Sequence, residues 1–426
     1  MKTSPTLRSP SAAPPAVLPA AALTLLTCLT GCATSNEASS AGSGGAPGVT
    51  GDTVKVGGVL TVTSATGYST GGAELGAKAR FARANAEGGV HGRKIEFIGV
   101  EDDGMTPDKG AAAARRLVQK EKVFALVPVS APQFGGAEFL EQQGVPWLGW
   151  ATGPFWCGRR TAFGFNGCLA PGPGHGTQTW WGNQVAAQLG GARGRSVWVQ
   201  ATDSSASKYG VQTISKSFTA AGFTLAGTSA ALPAQSPPQD WSPYVNKIMK
   251  SAGGKAPDVV VSVMAGGKFN SGLYAALKKA GYRGLITDAT SYDPHVLRDP
   301  QTARALDGVY AAPQFEPYES TASEVARLKE DVRRAGGADA VLDQHVATGY
   351  WSAEVFLKML EKAGRDLTRE SFFKAAENFS YDNGGFGRVR FPSGKTEPNG
   401  CGALVRLRDG RFTVAQHLRC FANTAL

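Results

Sequence analysis

The sequence predicts an α/β protein built as two doubly wound, Rossmann-like lobes. Three observations predict it. From Val54 onward short β-branched runs alternate with amphipathic helical stretches, the pattern of a parallel sheet covered on both faces. A chain of 426 residues with 42% hydrophobic content buries a large core, and its length suggests two or three domains. Along the chain there are roughly ten helices and as many strands, more than one doubly wound sheet carries.

The first segments stand outside that fold. Lys2 and Arg8 give a positive start, and Ala16 to Leu29 is almost wholly apolar yet too short to span a bilayer, so residues 1–31 read as a signal peptide. Leu29-Thr30-Gly31-Cys32 resembles the bacterial lipobox, in which small residues precede a Cys that is diacylated and becomes the new N-terminus. The other reading is an ordinary secretory signal with an incidental Cys. Two acyl chains anchor stably where one does not, so the expectation is a protein held by lipidated Cys32 to the outer face of the cell membrane. Residues 32–51 are mostly Ser, Gly and Ala and cannot repay the entropy of ordering. As a coil this tether reaches roughly 25 Å. The net charge of +10 is scattered, with no basic run carrying interleaved aromatics, which excludes nucleic acid as a partner.

The first strand is Val54 to Leu60. Its partner helix repeats Leu75, Ala79, Ala82 and Ala86 on one small-residue face, and Gly88-Gly89 ends it. Thr106-Pro107 opens the next helix, an N-cap followed by the one helical position where a missing N–H costs nothing, with Ala111, Ala114 and Val118 inward. Val123 to Val129 is the strand after it. The unit recurs where Ser242-Pro243 starts a helix that buries Val245 and Ile248 ahead of the strand Asp258 to Met264. Val346, Tyr350, Ala353, Leu357 and Leu360 form one stripe before Gly364, and Thr368 caps a helix in which Leu367 staples to Phe372.

Near the end, Leu404 to Leu407 and Phe412 to Ala415 flank Asp409-Gly410, a dipeptide favoured in type I′ turns. A hairpin folding back there brings Cys401 near Cys420. Of the six cysteines, Cys28 leaves with the signal and Cys32 is lipidated, and the other four, in an oxidising compartment, allow three pairings. With Cys401 paired to Cys420, the pair Cys157 and Cys168 follows by elimination. A zinc site is the rival reading, without a C-x-x-C or a nearby histidine behind it.

Three stretches are more particular. Asn85 to Glu96 (NAEGGVHGRKIE) turns on two glycines, plugs the gap with Val90 and starts a strand after Gly92. Asp102-Asp103-Gly104-Met105-Thr106-Pro107 is an acidic turn, and Gly144-Val145-Pro146-Trp147-Leu148 leads to Ala151-Thr152. Their order and spacing, with Lys208-Tyr209-Gly210 after the strand Val197 to Val199, resemble the type I solute-binding proteins of the Leu/Ile/Val-binding family from about Val54 to Ala415. The resemblance implies two lobes joined by a three-strand hinge, with crossings near Pro171 to Gly174, Gly308 to Pro313 and Gly384 to Phe391. Lobe one then takes residues 52–172 with 312–386, and lobe two 173–311 with 387–426. It further implies a monomeric receptor that captures a small-molecule ligand for the permease subunits of an ABC importer. The alternative role is a ligand-sensing module for a membrane signalling partner.

Relatives of the leucine-binding kind grip a ligand carboxylate with hydroxyls and backbone N–H groups at two strand ends. Carried across, these are Ser130 with Ala131 and Ala151 with Thr152, and exposed amides suit an anion without a formal positive charge. Tyr68 ends the first strand and walls the cleft, and Tyr209 joins the site. Read locally, Ser130 and Thr152 are equally caps and Tyr68 a packed loop aromatic. The acid that receives an amino acid's ammonium beyond the first crossing is missing from Gly167 to Gly174, and Asp203 and Asp288 are the candidate substitutes, or simply loop residues. Trp150, Phe155 and Trp156 crowd the rim, favouring a flatter, less charged ligand, or pack around the Cys157–Cys168 loop. The expected ligand is an amino acid, an amide or a related small carboxylate.

Gly67-Tyr68-Ser69-Thr70-Gly71 matches the G-x-S-x-G elbow of serine hydrolases, but one strand precedes Ser69 where that fold needs several, so no enzyme is expected. His91, His175, His295, His345 and His417 lie far apart in sequence without companions at ligand spacing, and Gly172, Gly174 and Gly176 follow no strand. Neither metal nor cofactor is implied.

Overall fold

The computed structural model describes residues 46–426 except 265; the signal segment, Cys32 and most of the tether lie outside the described residues. Residues 46–51, read from sequence as the end of the tether, pack onto the body. Lys55 N donates to Gly48 O at 2.7 Å, and Arg93 Nε to Thr50 O at 2.8 Å.

Five parallel strands form the first sheet: β1 (Thr53–Leu60), β2 (Lys94–Asp102), β3 (Ala125–Ser130), β4 (Trp147–Gly149) and β5 (Ala162–Gly164), in the order β2-β1-β3-β4-β5. β3 is buried at every position, as a central strand covered on both faces must be. The linking helices are α1 (Gly72–Ala86), α2 (Pro107–Arg115) and α3 (Ala137–Gln142). The glycines after α1 do what their spacing implies: Gly88, Gly89 and Gly92 hold φ of 98°, 77° and 83°, and Val90 is buried in the gap.

A short β6 (Gly176–Thr177) leads to α4 (Trp180–Gln188) and the second sheet. There β7 (Ser196–Thr202), β8 (Thr224–Leu232), β9 (Val259–Ser262), β10 (Leu285–Asp288) and β11 (Tyr310–Ala311) run parallel, linked by α5 (Ser205–Ala220), α6 (Ser242–Met249), α7 (Lys268–Lys279) and α8 (Pro300–Leu306). The chain then returns to the first sheet. α9 (Ser323–Gly336) and α10 (Gln344–Ala363) pack on α1, with α11 (Arg369–Ala376) on α10. A small ribbon, β12 (Phe379–Tyr381) with β13 (Val389–Phe391), follows. Finally β14 (Cys401–Arg408) and β15 (Arg411–Cys420) complete the second sheet antiparallel, in the order β15-β14-β11-β10-β9-β7-β8, and β16 (Thr424–Ala425) pairs with β6.

The hairpin forms around Asp409 and Gly410, with φ of 51° and 72°, the left-handed pair a type I′ turn requires. Cys401 lies directly opposite Cys420 and is bonded to it, and Cys157 is bonded to Cys168. Thr368 caps α11 in a reciprocal box with Ser371, and Thr106 precedes Pro107 at the start of α2.

One helical face differs from the sequence reading. α1 buries Ala73, Gly76, Ala77, Ala79, Arg80, Phe81 and Ala84, whereas Ala82 and Ala86 are exposed. The stripe is displaced because Arg80 turns inward and pairs with Glu354 of α10, each side chain 5% exposed. A pattern based on apolar spacing cannot place an arginine in the core. In α2, likewise, Ala113 rather than Ala111 is buried beside Ala114.

Candidate functional site

A cavity of ≈130 Å³ opens where the carboxyl ends of the two sheets face each other. That is where open α/β sheets bind ligands. The first sheet contributes Tyr68 after β1, Met105 after β2, Pro132 after β3, Trp150 and Thr152 after β4, and Leu169 and Ala170 after β5. The second contributes Ser204 and Ser207 after β7, Val263 and Met264 after β9, and Ala289 and Thr290 after β10, while Ala312 and Gln314 sit where the chain leaves β11 for the first sheet, Gln314 bonded there to Trp150 and Asn166. Gln178, Trp180 and Trp181 enter from the start of α4.

Local structure explains how these side chains are aimed. The acidic turn binds the loop after β1: Asp103, fully buried, accepts from Thr61 Oγ1 at 2.7 Å and Met105 N at 2.8 Å, and Asp102 accepts from Val62 N at 2.9 Å. Burial pushes the Asp103 carboxyl up to about 6. Met105, held at φ 59°, is thereby turned into the cavity. Thr70 Oγ1 donates to Ser130 O at 2.6 Å, tying the same loop to the end of β3. Behind Tyr68 and Trp150 lies His345, at the start of α10, which stands edge-on to each at 5.6 Å. Burial holds His345 down to about 3, so the ring is neutral, and burial raises the Tyr68 phenol far above its ordinary value.

Of the residues singled out from sequence, Tyr68 and Thr152 line the cavity. Ser130, Ala131 and Ala151 are buried behind it. Of the backbone groups expected to grip an anion, the pair after β4 is engaged within the protein: Ala151 N donates to Asn166 Oδ1 at 3.1 Å and Thr152 N to Trp150 O at 3.0 Å. Tyr209 is 37% exposed, and it is the next residue, Gly210, that borders the cavity. Asp203 accepts from Ala234 N at 2.7 Å away from the cavity wall. Asp288 is fully buried and accepts from Tyr274 Oη, Ser291 Oγ, Thr290 N and Ser291 N at 2.6–2.9 Å. It shapes the turn that presents Ala289 and Thr290 rather than facing a ligand. Trp150 lines the cavity, whereas Phe155 and Trp156 pack with Phe134 and Trp147.

Ser69 Oγ accepts from Gly71 N at 3.1 Å and lies 3.4 Å from Thr61 O, so its hydroxyl is held by backbone as a turn residue. The histidine reading needs one correction. His295 Nδ1 lies 2.8 Å from Asp293, and Asp343 joins them, with one ligand atom of each within 4.8 Å of the others. Asp343 arrives from another element, which sequence spacing does not show. Sequence reasoning missed Gln178, Gln314, Trp180 and Trp181, which sit where the chain leaves one sheet for the other and no periodicity marks a face.

The charge of the cavity is its most informative property. Among the described lining residues there is no Asp, Glu, Lys, Arg or His.

A family model described as periplasmic binding protein matches residues 53–411. No curated protein matches the chain. Among solved structures, the chain is similar to a fatty acid ABC transporter substrate-binding protein from Thermomonospora curvata, at 18% identity and TM-score 0.69, over 89% of this chain and 95% of that one. It is similar to a solute binding protein of an ABC transporter from R. palustris in complex with 4-hydroxybenzoate, at 18% identity and TM-score 0.68, over 87% and 97%. A leucine binding protein from Thermotoga maritima aligns at 19% identity and TM-score 0.67, over 86% and 98%. With its two sheets facing across a cavity and the family model spanning both, the chain belongs to the periplasmic binding protein family and has the type I fold.

Proposed function

We propose that this protein is an extracytoplasmic solute receptor that captures a ring-sized, largely apolar molecule between its lobes and delivers it to an ABC importer. The observation that carries the reading is the cavity at both sets of strand ends, lined by three tryptophans and without a charged side chain among the described lining residues. A zwitterionic amino acid would bury its ammonium there without a partner, at a cost of several kcal/mol. A cavity of ≈130 Å³ is close to the roughly 150 Å³ that holds one benzene-sized ring. Of the ligands named for the three relatives, a fatty acid and 4-hydroxybenzoate have such an apolar body, and leucine is the zwitterion this cavity disfavours.

Lobe one takes residues 52–172 with 312–386, lobe two takes 173–311 with 387–426, and the three crossings between them flex together as a hinge that the bound solute closes. Cys32 carries the lipid anchor. The protein binds its solute without transforming it, in keeping with a family of solute-binding proteins and with the engagement of Ser69 by backbone.

A thermal-shift screen tests the reading. A solute present at a hundred times its Kd stabilises by about 2.7 kcal/mol, so monocyclic aromatic solutes are expected to raise Tm by several degrees and leucine to leave it unmoved. A wide panel that leaves Tm unchanged throughout, or a shift by leucine alone, would overturn it.

A further inference from the structure

Two glutamines in the cavity wall are half-engaged, and the engaged half is the same in both. Gln314 Oε1 accepts from Trp150 Nε1 at 2.7 Å and from Asn166 Nδ2 at 2.8 Å. Gln178 Oε1 accepts from Trp181 N at 3.2 Å and from Ser217 Oγ at 3.2 Å. The orientation of each amide is fixed by these contacts, because an indole N–H and a backbone N–H only donate. Asn166 is fixed in turn, since its Oδ1 accepts from Ala151 N. Ser217 Oγ accepts from Gly182 N at 3.1 Å, which leaves its own hydrogen for Gln178. What remains on each glutamine is the Nε2 amino group, and neither has a hydrogen-bond partner among the described residues. Both residues line the cavity, and Gln178 is 2% exposed to bulk solvent.

Each free amino group opens onto the cavity, and a solute that displaces the cavity solvent without offering an acceptor leaves it buried and unpaired, at a cost in affinity, so this arrangement discriminates by what a ligand offers. We infer that Gln178 and Gln314 recognise the solute through their side-chain N–H groups, and that the solute is therefore a small apolar ring bearing a hydrogen-bond-accepting oxygen, a carbonyl, carboxamide or carboxylate, and no ammonium. The inference rests on the solute-receptor reading and narrows it. The glutamines come from opposite walls: Gln314 is held by Trp150 and Asn166 beside the first sheet, Gln178 by Trp181 and Ser217 beside the second. A solute bound by both holds the two walls together, so the residues that select the solute also favour the closed state.

The probes are benzamide and benzylamine, which share a ring and differ in that the first presents a carbonyl oxygen and the second an ammonium. Calorimetry on the wild-type protein is expected to show benzamide binding at least tenfold tighter. Replacement by glutamate tests the residues directly: Gln178→Glu and Gln314→Glu keep the engaged oxygen and exchange the free donor for an acceptor, with little change in shape. Each is expected to weaken benzamide about ten- to hundredfold above neutral pH. At acid pH, where the introduced carboxyl is protonated and donates again, affinity returns, whereas the wild-type protein shows no such pH dependence.

Equal binding of the two probes by the wild type overturns the inference, as does unchanged benzamide affinity in both glutamate variants across pH. A wild-type protein that binds neither probe also overturns it, and the receptor reading then stands or falls separately with the wide thermal-shift panel.

Discussion

Asp343 illustrates how much a single buried carboxylate carries in this fold. Its Oδ1 accepts from His345 N at 2.8 Å and Val346 N at 3.0 Å, capping α10, and a Cβ on Gly72 would lie 2.3 Å from the same oxygen. Burial, and next the neighbouring Asp293, push its carboxyl from 3.8 up to about 6. The native state thus holds the proton more tightly than the unfolded chain, so the cost of the charge is absent at pH below 3.8 and fully present above about 6. Asn at this position keeps the capping oxygen without the charge. Asp343→Asn is expected to gain about 1–3 kcal/mol in urea melts at pH 7.5 and to lose that gain near pH 4; a variant less stable at pH 7.5 would show that the charge itself is needed. At this scale the sequence was read best where chemistry is local. Tyr68 and Thr152 face the cavity because they lie in the loops that follow the carboxyl ends of β1 and β4. Gln178 and Gln314 were not legible, since their role depends on which donors reach their oxygens, and for Gln314 those donors are 148 and 164 residues away. Asp288 looked like a ligand group for the converse reason: its position at a strand end was visible, but the four donors that turn it inward were not.

Among the elements, α1, α9 and α10 are joined by a buried ionic network. Arg80 pairs with Glu354, Arg83 lies 2.9 Å from Asp331 and 3.6 Å from Glu354, and Tyr350 Oη donates to Asp331 at 2.6 Å. Removing one partner of such a pair strands the other, whereas removing both costs far less. Glu354→Leu is expected to lower unfolding free energy by about 3–5 kcal/mol, with Arg80→Met added to it restoring most of the loss. A single variant costing less than about 1 kcal/mol would mean that water reaches the network. The network also explains which elements could be read in advance. Helix starts marked by Thr106-Pro107 and Thr368, and the Asp409-Gly410 hairpin, follow from signals within a few residues of each other. The buried face of α1 depends on a partner more than 250 residues away, as the Arg80–Glu354 separation of 274 shows.

For the whole molecule, the two-lobed plan was legible because the alternation of strand and helix repeats along the chain, and each repeat can only be covered by becoming part of a wound sheet. What the alternation does not contain is where the lobes touch, and so the cavity is legible as a location with only Tyr68, Trp150 and Thr152 of its lining. The proposed lipid anchor is tested by fractionation. Cys32→Ala is expected to move the protein from the membrane to the soluble fraction while leaving the Tm shift given by benzamide unaltered. Retention of the variant in membranes would mean that the apolar stretch Ala16 to Leu29 itself is the anchor.

The tryptophans of the cavity have a practical consequence. Three of the eight in the chain, Trp150, Trp180 and Trp181, border it, and the rings of Trp180 and Trp181 lie nearly parallel with centroids 5.9 Å apart. Indole emission responds to the polarity and to the π-systems around the ring, so a solute that displaces water from this space changes the colour and intensity of the protein's own fluorescence. The protein's own emission is therefore a label-free readout of binding, and under the proposed reading stopped-flow emission is expected to follow capture of the solute and any later closing of the lobes.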